Sequence, residues 1–232
     1  MTTLLSLQNV SKSYGNSPVL ANLNLELSEG KIIGLLGPNG SGKTTMMKLI
    51  MGLLTADQGC ILIKGLAPSV ATKAMVSYLP DQTYLKDYMK VVDIINLFAD
   101  FYVDFDKERA KALLKDLAID QTQYLKNLSK GDKEKVQLLL VMSRKAKLYL
   151  LDEPIAAVDA VTREYILRTI ISNYSKDASV LIATHLIADV EPVLDDVIFL
   201  DKGQVHLQGA VDDLRQTYGM SMDKLFRERF KI

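Results

Sequence analysis

The chain has 232 residues, of which 48% are hydrophobic and 24% charged, and its formal net charge is +0. A polypeptide of this size and composition can bury a sizeable core, which excludes a disordered segment or a disulfide scaffold. Its single cysteine, Cys60, allows no internal bridge and suits a reducing compartment. The balanced charge lacks the basic excess of a phosphate-backbone binder, so no nucleic-acid partner is expected. The N-terminus carries no basic start before a long apolar run, and no apolar run approaches the ~18 residues that cross a bilayer. A soluble or peripheral protein is expected.

In chain order, Leu23, Leu25 and Leu27 alternate with polar residues, the period of a half-buried strand. Gly30 breaks that pattern, and residues 31–36 (KIIGLL) read as a short buried strand. After GPNGSG, residues 43–54 (KTTMMKLIMGLL) read as a helix. Residues 56–59 (ADQG) read as a turn before the strand 60–65, and 77–81 (SYLPD) end another strand. Residues 84–147 change character. Leu97, Phe98, Phe101, Tyr102 and Phe105 recur at roughly helical spacing, as do Ala110, Leu113, Leu114 and Leu117, so this stretch reads as a helical insertion between strands. From 148 the strands return: LYLLDEP, then an amphipathic helix at 163–174, the strand SVLIATH and a helix over 186–196. A hairpin follows with its turn at Asp201-Lys202-Gly203, then a polar helical tail from 211. Apolar strands alternating with helices predict an α/β fold with a mainly parallel core sheet, covered on both faces.

The sharpest motif is Gly37-Pro38-Asn39-Gly40-Ser41-Gly42-Lys43-Thr44, which fits G-x-x-x-x-G-K-[ST] between an apolar strand and a helix. Glycines let the backbone curl so that successive N–H groups form an anion nest, and the helix start adds its positive dipole end. Lys43 would reach the β- and γ-phosphates, the Thr44 hydroxyl would ligate Mg²⁺, and Thr45 adds a second hydroxyl. The second motif is the apolar strand Leu148–Leu151 running into Asp152-Glu153, since ligands of α/β sheets gather at the C-terminal strand ends. Asp152 would hold Mg²⁺ and Glu153 would polarise the attacking water as a general base. Together they make a P-loop nucleotide hydrolase.

Leu128-Ser129-Lys130-Gly131-Asp132 then stands a fixed step before the Asp-Glu strand. On these three motifs the chain resembles the ATP-binding subunit of ABC transporters over nearly its whole length. That resemblance implies a single cassette over residues 1–232: a P-loop core, an N-terminal antiparallel β part and an inserted helical subdomain at about 84–147. It implies ATP and Mg²⁺ as cofactors. It implies pairing with a second ATP-binding subunit, as homodimer or heterodimer, in which Ser129 and the backbone around Gly131 face the partner's γ-phosphate. It also implies a separate transmembrane permease, a place at the inner face of the membrane, adenine stacking by Tyr14, a γ-phosphate contact for His185 and a loop at Val158-Asp159 that crosses to the partner. The FYVDF run resembles bacterial subunits paired with exporter-type permeases. Ser129 and Asp132 also fit a helix cap, which would orient the same N–H groups.

Two positions depart from the family pattern. Lys130 and Asp132 replace a usual Gly and Gln of the signature. Asp81 stands where the family has Gln, with Gln82 next. A carboxylate there would crowd the γ-phosphate, Asp152 and Glu153, whereas an amide both donates and accepts. The expectation is that Gln82 senses the γ-phosphate and Mg²⁺ while Asp81 turns away. The alternative function is a soluble ABC-type ATPase acting on nucleic acid or ribosomes. A single cassette without heptads or basic excess weighs against it, and the signature weighs against a kinase or GTPase.

Overall fold

The computed structural model describes residues 3–156, 158–175 and 177–230. The chain begins with two long antiparallel strands, β1 (Thr3–Tyr14) and β2 (Ser17–Ser28), followed by β3 (Ile32–Leu36), α1 (Lys43–Ile50) and β4 (Gln58–Ile63). Next come α2 (Val70–Met75), β5 (Val76–Leu79), and the helices α3 (Val91–Phe101), α4 (Lys107–Asp116) and α5 (Lys130–Met142). The second half runs β6 (Leu148–Asp152), α6 (Ala160–Asn173), β7 (Ser179–Thr184), α7 (Ile187–Val190), β8 (Asp196–Asp201), β9 (Gln204–Ala210), α8 (Val211–Tyr218) and α9 (Met222–Phe230). A three-stranded antiparallel sheet has the order β2-β1-β4. A six-stranded sheet has the order β5-β6-β7-β3-β8-β9, parallel except for the β8–β9 hairpin.

The central strands β3, β6 and β7 are buried at every position. Successive side chains therefore feed two different cores, because side chains alternate faces with period two. Ile32, Leu36, Tyr149, Leu151, Val180 and Ile182 face α5, α6 and the C-terminal helices. Ile33, Leu35, Leu148, Leu150 and Leu181 face α1 and the inner leucines of the antiparallel sheet, among them Leu23, Leu25 and Leu27. A third core of Val91, Ile94, Ile95, Leu113, Leu114, Val136 and Leu139 holds α3, α4 and α5 together.

Arg144 ties these helices to the large sheet. It is 3% exposed, and its guanidinium donates to the Val76 carbonyl at 2.6 Å and the Ala74 carbonyl at 2.8 Å. It also pairs with Asp104 at 3.1 Å and stacks 4.1 Å above the Tyr102 ring centre.

Several boundaries differ from the sequence expectation. The helix expected to reach Leu54 stops at Ile50, and Gln58 and Gly59 belong to β4, not to the preceding turn. The helix expected over 186–196 is one turn, α7, followed by a 3₁₀ turn at Glu191–Val193 with Pro192 inside it. Helix α2, six residues long and set by a reciprocal Ser69–Thr72 cap, carries too little periodicity to be seen in sequence. Of the aromatics at 98–105, Phe98 and Phe105 pack on the third core, while Phe101 is 75% exposed.

Candidate active site

The strand-to-helix turn after β3 forms a loop that wraps onto its own lysine. Lys43 Nζ donates to the carbonyls of Gly37, at 2.7 Å, and Pro38, at 3.2 Å. Gly42, the residue that caps α1, has φ 108°, and a β-carbon there would stand 2.7 Å from Leu20 Cδ2. Only glycine meets both demands, which is why the second motif glycine precedes the lysine. The loop also rests on the β8–β9 hairpin, since the Gly203 N–H donates to the Ser41 carbonyl at 3.1 Å.

A pocket of about 380 Å³ opens over this turn. Its walls are Asn39 to Thr45 of the loop and α1, Val19 of β2, and three carboxylates: Asp81, Asp152 and Glu153. Lys43 is the cation among them. Burial pulls its ammonium pKa down, while Glu153 and Asp152 push it back up. Asp152, 1% exposed at the end of β6, is driven the other way. Burial raises its pKa to about 6; the Thr44 hydroxyl and Lys43 oppose that rise, and Asp81 and Glu153 add to it.

Both carboxylate oxygens of Asp152, and the Ser41 hydroxyl, are buried with no hydrogen-bond partner among the described residues. A buried polar atom left unpaired costs stability, so such a group points to a ligand. The orphaned Asp152 oxygens beside Thr44 suit a hard divalent cation, which takes oxygen ligands and draws its remaining ones from phosphate and water.

Glu153 sits one residue further, with φ 51°, a left-handed conformation that costs a non-glycine residue about 1 kcal/mol or more. Its N–H donates to the Ala183 carbonyl at 2.8 Å, and the Thr184 hydroxyl donates to its carboxylate at 3.0 Å. His185 Nδ1 lies 3.0 Å and 3.1 Å from the two carboxylate oxygens. A carboxylate oxygen accepts in this contact, so Nδ1 is the nitrogen that donates. The end of β7 thus sets both the strained backbone and the side-chain direction of Glu153.

The pocket brings together Asn39, Gly40, Ser41, Gly42, Lys43, Thr44, Thr45, Asp152 and Glu153, with Gly37 and Pro38 reached through Lys43 and His185 through Glu153. It does not bring in Tyr14, which is 50% exposed at the end of β1. Ser129 and Gly131 stand apart at the start of α5. There Ser129 caps the helix by accepting from the Asp132 N–H at 3.1 Å and donating to the Asp132 carboxylate at 2.8 Å. Asp159 caps α6 through the Thr162 N–H at 3.0 Å.

Gln82 is placed against expectation. Asp81 lines the phosphate pocket and Gln82 does not, while both line two neighbouring cavities, one with Lys130 and Lys133, the other with Tyr84 and Phe98. The strand ends at Leu79 and Pro80 carries the chain on, so the first residue beyond it, not the second, turns toward Asp152. Thr184 and Gly203, which sequence reading passed over, support Glu153 and the loop. Thr184 was visible as the residue before His185, whereas nothing local marked Gly203 beyond its hairpin turn.

A strand–loop–helix phosphate cradle with this acid pair is shared by several nucleotide hydrolases. The model of the ABC transporter family matches residues 20–156. The chain belongs to the ABC transporter family. The ABC transporter ATP-binding protein YtrB of Bacillus subtilis is 33% identical to it, over 93% of this chain and 75% of YtrB. The SkfA peptide export ATP-binding protein SkfE of the same organism is 32% identical, over 87% of each chain. A solved ATP-binding subunit of an ABC transporter superposes with a TM-score of 0.87 at 27% identity, covering 97% of this chain and 98% of that one. This ABC subunit is therefore an ATP-binding ATPase that powers transport, and its relatives favour that role over one on nucleic acid or ribosomes. Its phosphate loop and its acid pair converge on the phosphate pocket.

Proposed function

We propose that this ABC subunit hydrolyses Mg²⁺-ATP at a site completed by a second ATP-binding subunit, and passes the motion to a separate permease at the inner face of the membrane. The observation that carries the chemistry is the pocket at the C-terminal edge of the large sheet. One buried ammonium, one orphaned buried carboxylate and one strained, tethered glutamate surround the same space. Lys43 leaves the Gly37 and Pro38 carbonyls and pairs with the phosphates, a stronger charge-assisted partner. Thr44 and Asp152 would hold a Mg²⁺ ion, which would supply positive charge against the β- and γ-phosphates. Glu153 orients the attacking water and takes its proton, with Thr184 and His185 fixing its carboxylate.

The separation of Ser129 from the phosphate pocket of its own chain supports a head-to-tail pair, in which each signature meets the other's nucleotide. The docking site for the permease is a groove of about 630 Å³ between the inserted helices and the large sheet. Tyr84, Phe98 and Tyr102 line one side, Met51 and Leu53 another, with Lys48 and Lys73 beside them. Likeness to SkfE supports an exporter-type permease. No described helix is long and apolar enough to cross a membrane, in keeping with a peripheral place beside such a partner.

The test pairs two variants. Lys43→Ala should lose nucleotide retention and hydrolysis together. Glu153→Gln should keep Mg²⁺-ATP binding and lose hydrolysis by about 10²-fold or more. Normal turnover in Lys43→Ala would sink the assignment.

A further inference from the structure

A second cavity, of about 530 Å³, lies at the opposite end of β6 from Asp152. Its lining has three cations, Arg109, Lys145 and Lys147, and no carboxylate. Three segments meet there: α4 carries Arg109, the α5–β6 connection carries both lysines, and the end of α6 with the residues after it supplies Ser172, Asn173 and Ser175. Arg109 is its fixed point. Nε donates to the Asn173 side-chain oxygen at 3.0 Å, and the two terminal nitrogens have no hydrogen-bond partner among the described residues. Burial lowers the Arg109 pKa, with Tyr149 and Asp106 opposing, so this guanidinium is partly stripped of water and only partly repaid by protein. A partly buried cation whose planar fork is unpaired is matched by a bidentate oxyanion.

The lysines are available to join it. Lys145 pairs with Asp106 at 3.4 Å, but that carboxylate is already engaged in capping α4 through the Arg109 N–H at 3.0 Å. Lys147 pairs with Asp177 at 3.3 Å, and both side chains of that pair are more than a third exposed. Ion pairs this long and this exposed contribute roughly 0–1 kcal/mol and yield to a stronger anion.

We infer that this cavity binds a phosphomonoester, gripped by the fork of Arg109 and flanked by Lys145 and Lys147. Such a ligand would bridge α4 to the end of α6 and so stiffen the joint between the inserted helices and the large sheet. Resting on the proposed function, in which motion reaches a permease docked beside the inserted helices, occupancy would report a phosphorylated compound to the ATPase from a site the nucleotide does not touch.

Glycerol 3-phosphate serves as the free probe, with ADP and Mg²⁺ saturating the phosphate loop, and its binding is read by calorimetry and by the shift in melting temperature. Vesicles of phosphatidylcholine with and without phosphatidic acid serve as the lipid probe, read by co-sedimentation. Wild type should bind one or both probes, and Lys43→Ala should bind them equally well. Arg109→Met should weaken binding about tenfold or more and Lys147→Gln several-fold, the range expected for charge-assisted phosphate contacts. Binding of the free probe assigns the site to a soluble phosphomonoester, and binding of the phosphatidic acid vesicles alone assigns it to a lipid headgroup. Should Arg109→Met loosen the fold by itself, the exposed Lys147→Gln decides. Undiminished binding in both variants, loss of binding in Lys43→Ala, or no binding of either probe by wild type would overturn the inference.

Discussion

Asp152 concentrates the cost of building a cation site. Its folded pKa of about 6 stands above the ordinary carboxylate value of 3.8, and burial is the first cause. Between those two values the folded chain holds more protons than the unfolded one, so the stability of the nucleotide-free protein falls as pH rises through that window. Asp152→Asn removes the buried charge while keeping the shape. It should stabilise the nucleotide-free protein at pH 7 by an amount on the order of 2–3 kcal/mol, read as a higher melting temperature, and lose Mg²⁺-dependent hydrolysis. The same melting temperature in both proteins would show that Asp152 is not held against its charge. Asp81 is a lesser cause of the raised value, so Asp81→Asn should move the acid limb of Mg²⁺-ATP binding to lower pH. Since Asp81 and not Gln82 lines the pocket, Asp81→Ala should cut permease-coupled hydrolysis more than Gln82→Ala. The opposite ranking, with both variants folded, would return the sensing role to Gln82.

Whole elements act through their ends. The N-terminus of α5 is capped by Ser129 and lies outside the lining of its own phosphate pocket. Ser129→Arg should therefore leave ATP affinity of the isolated chain nearly intact and stop hydrolysis in the assembled pair. A large loss of affinity in the monomer would place Ser129 in its own site. The β8–β9 hairpin turns at Lys202 and Gly203, both with positive φ (46° and 74°), the type I′ geometry that two-residue hairpins favour. A β-carbon on Gly203 would stand 2.2 Å from the Val19 carbonyl oxygen, and Gly203 also donates to the phosphate loop. Gly203→Val should thus lower the melting temperature and weaken nucleotide binding together, and unchanged binding would detach the hairpin from the loop.

These ends also mark how far the sequence could be read. Strands buried on both faces, such as β3 and β6, announce themselves as short apolar runs, and the loop and acid pair follow them directly in the chain. Position across the fold is different. The reach of Gly203 to Ser41 and of Thr184 to Glu153, and the hub role of Arg144, join segments 31 to 162 residues apart, or 68 in the case of Arg144 and Val76, and no local pattern encodes them. The facing of Asp81 and Gln82 was not legible for a related reason. Beyond the last strand residue the period-two rule no longer fixes which side chain turns inward, and an argument from charge alone did not anticipate that Asp81 lines the phosphate pocket.

At the scale of the molecule, the question is what the inserted helices push against. The groove beside them is walled by Tyr84, Phe98 and Tyr102 on the helical side and by Met51 and Leu53 on the side of α1. Leu53 is 56% exposed and Tyr84 43%, so apolar surface stands open to water where the two parts of the chain meet. Burying such surface against a partner is favourable by about 25 cal/mol per Å², and the core of a stable interface excludes unpaired charge. A carboxylate at position 53 would be stranded there. Leu53→Asp should leave ATP binding unchanged, because Leu53 lies outside the phosphate pocket and its side chain is already half in solvent. It should abolish co-purification of the permease and, with it, any stimulation of ATPase activity by the permease. Phe101→Asp is the control: at 75% exposure and outside the groove lining, it should retain the permease. If Leu53→Asp kept the permease bound while Phe101→Asp released it, the docking face would lie on the outer side of α3 and the groove would have to be given up.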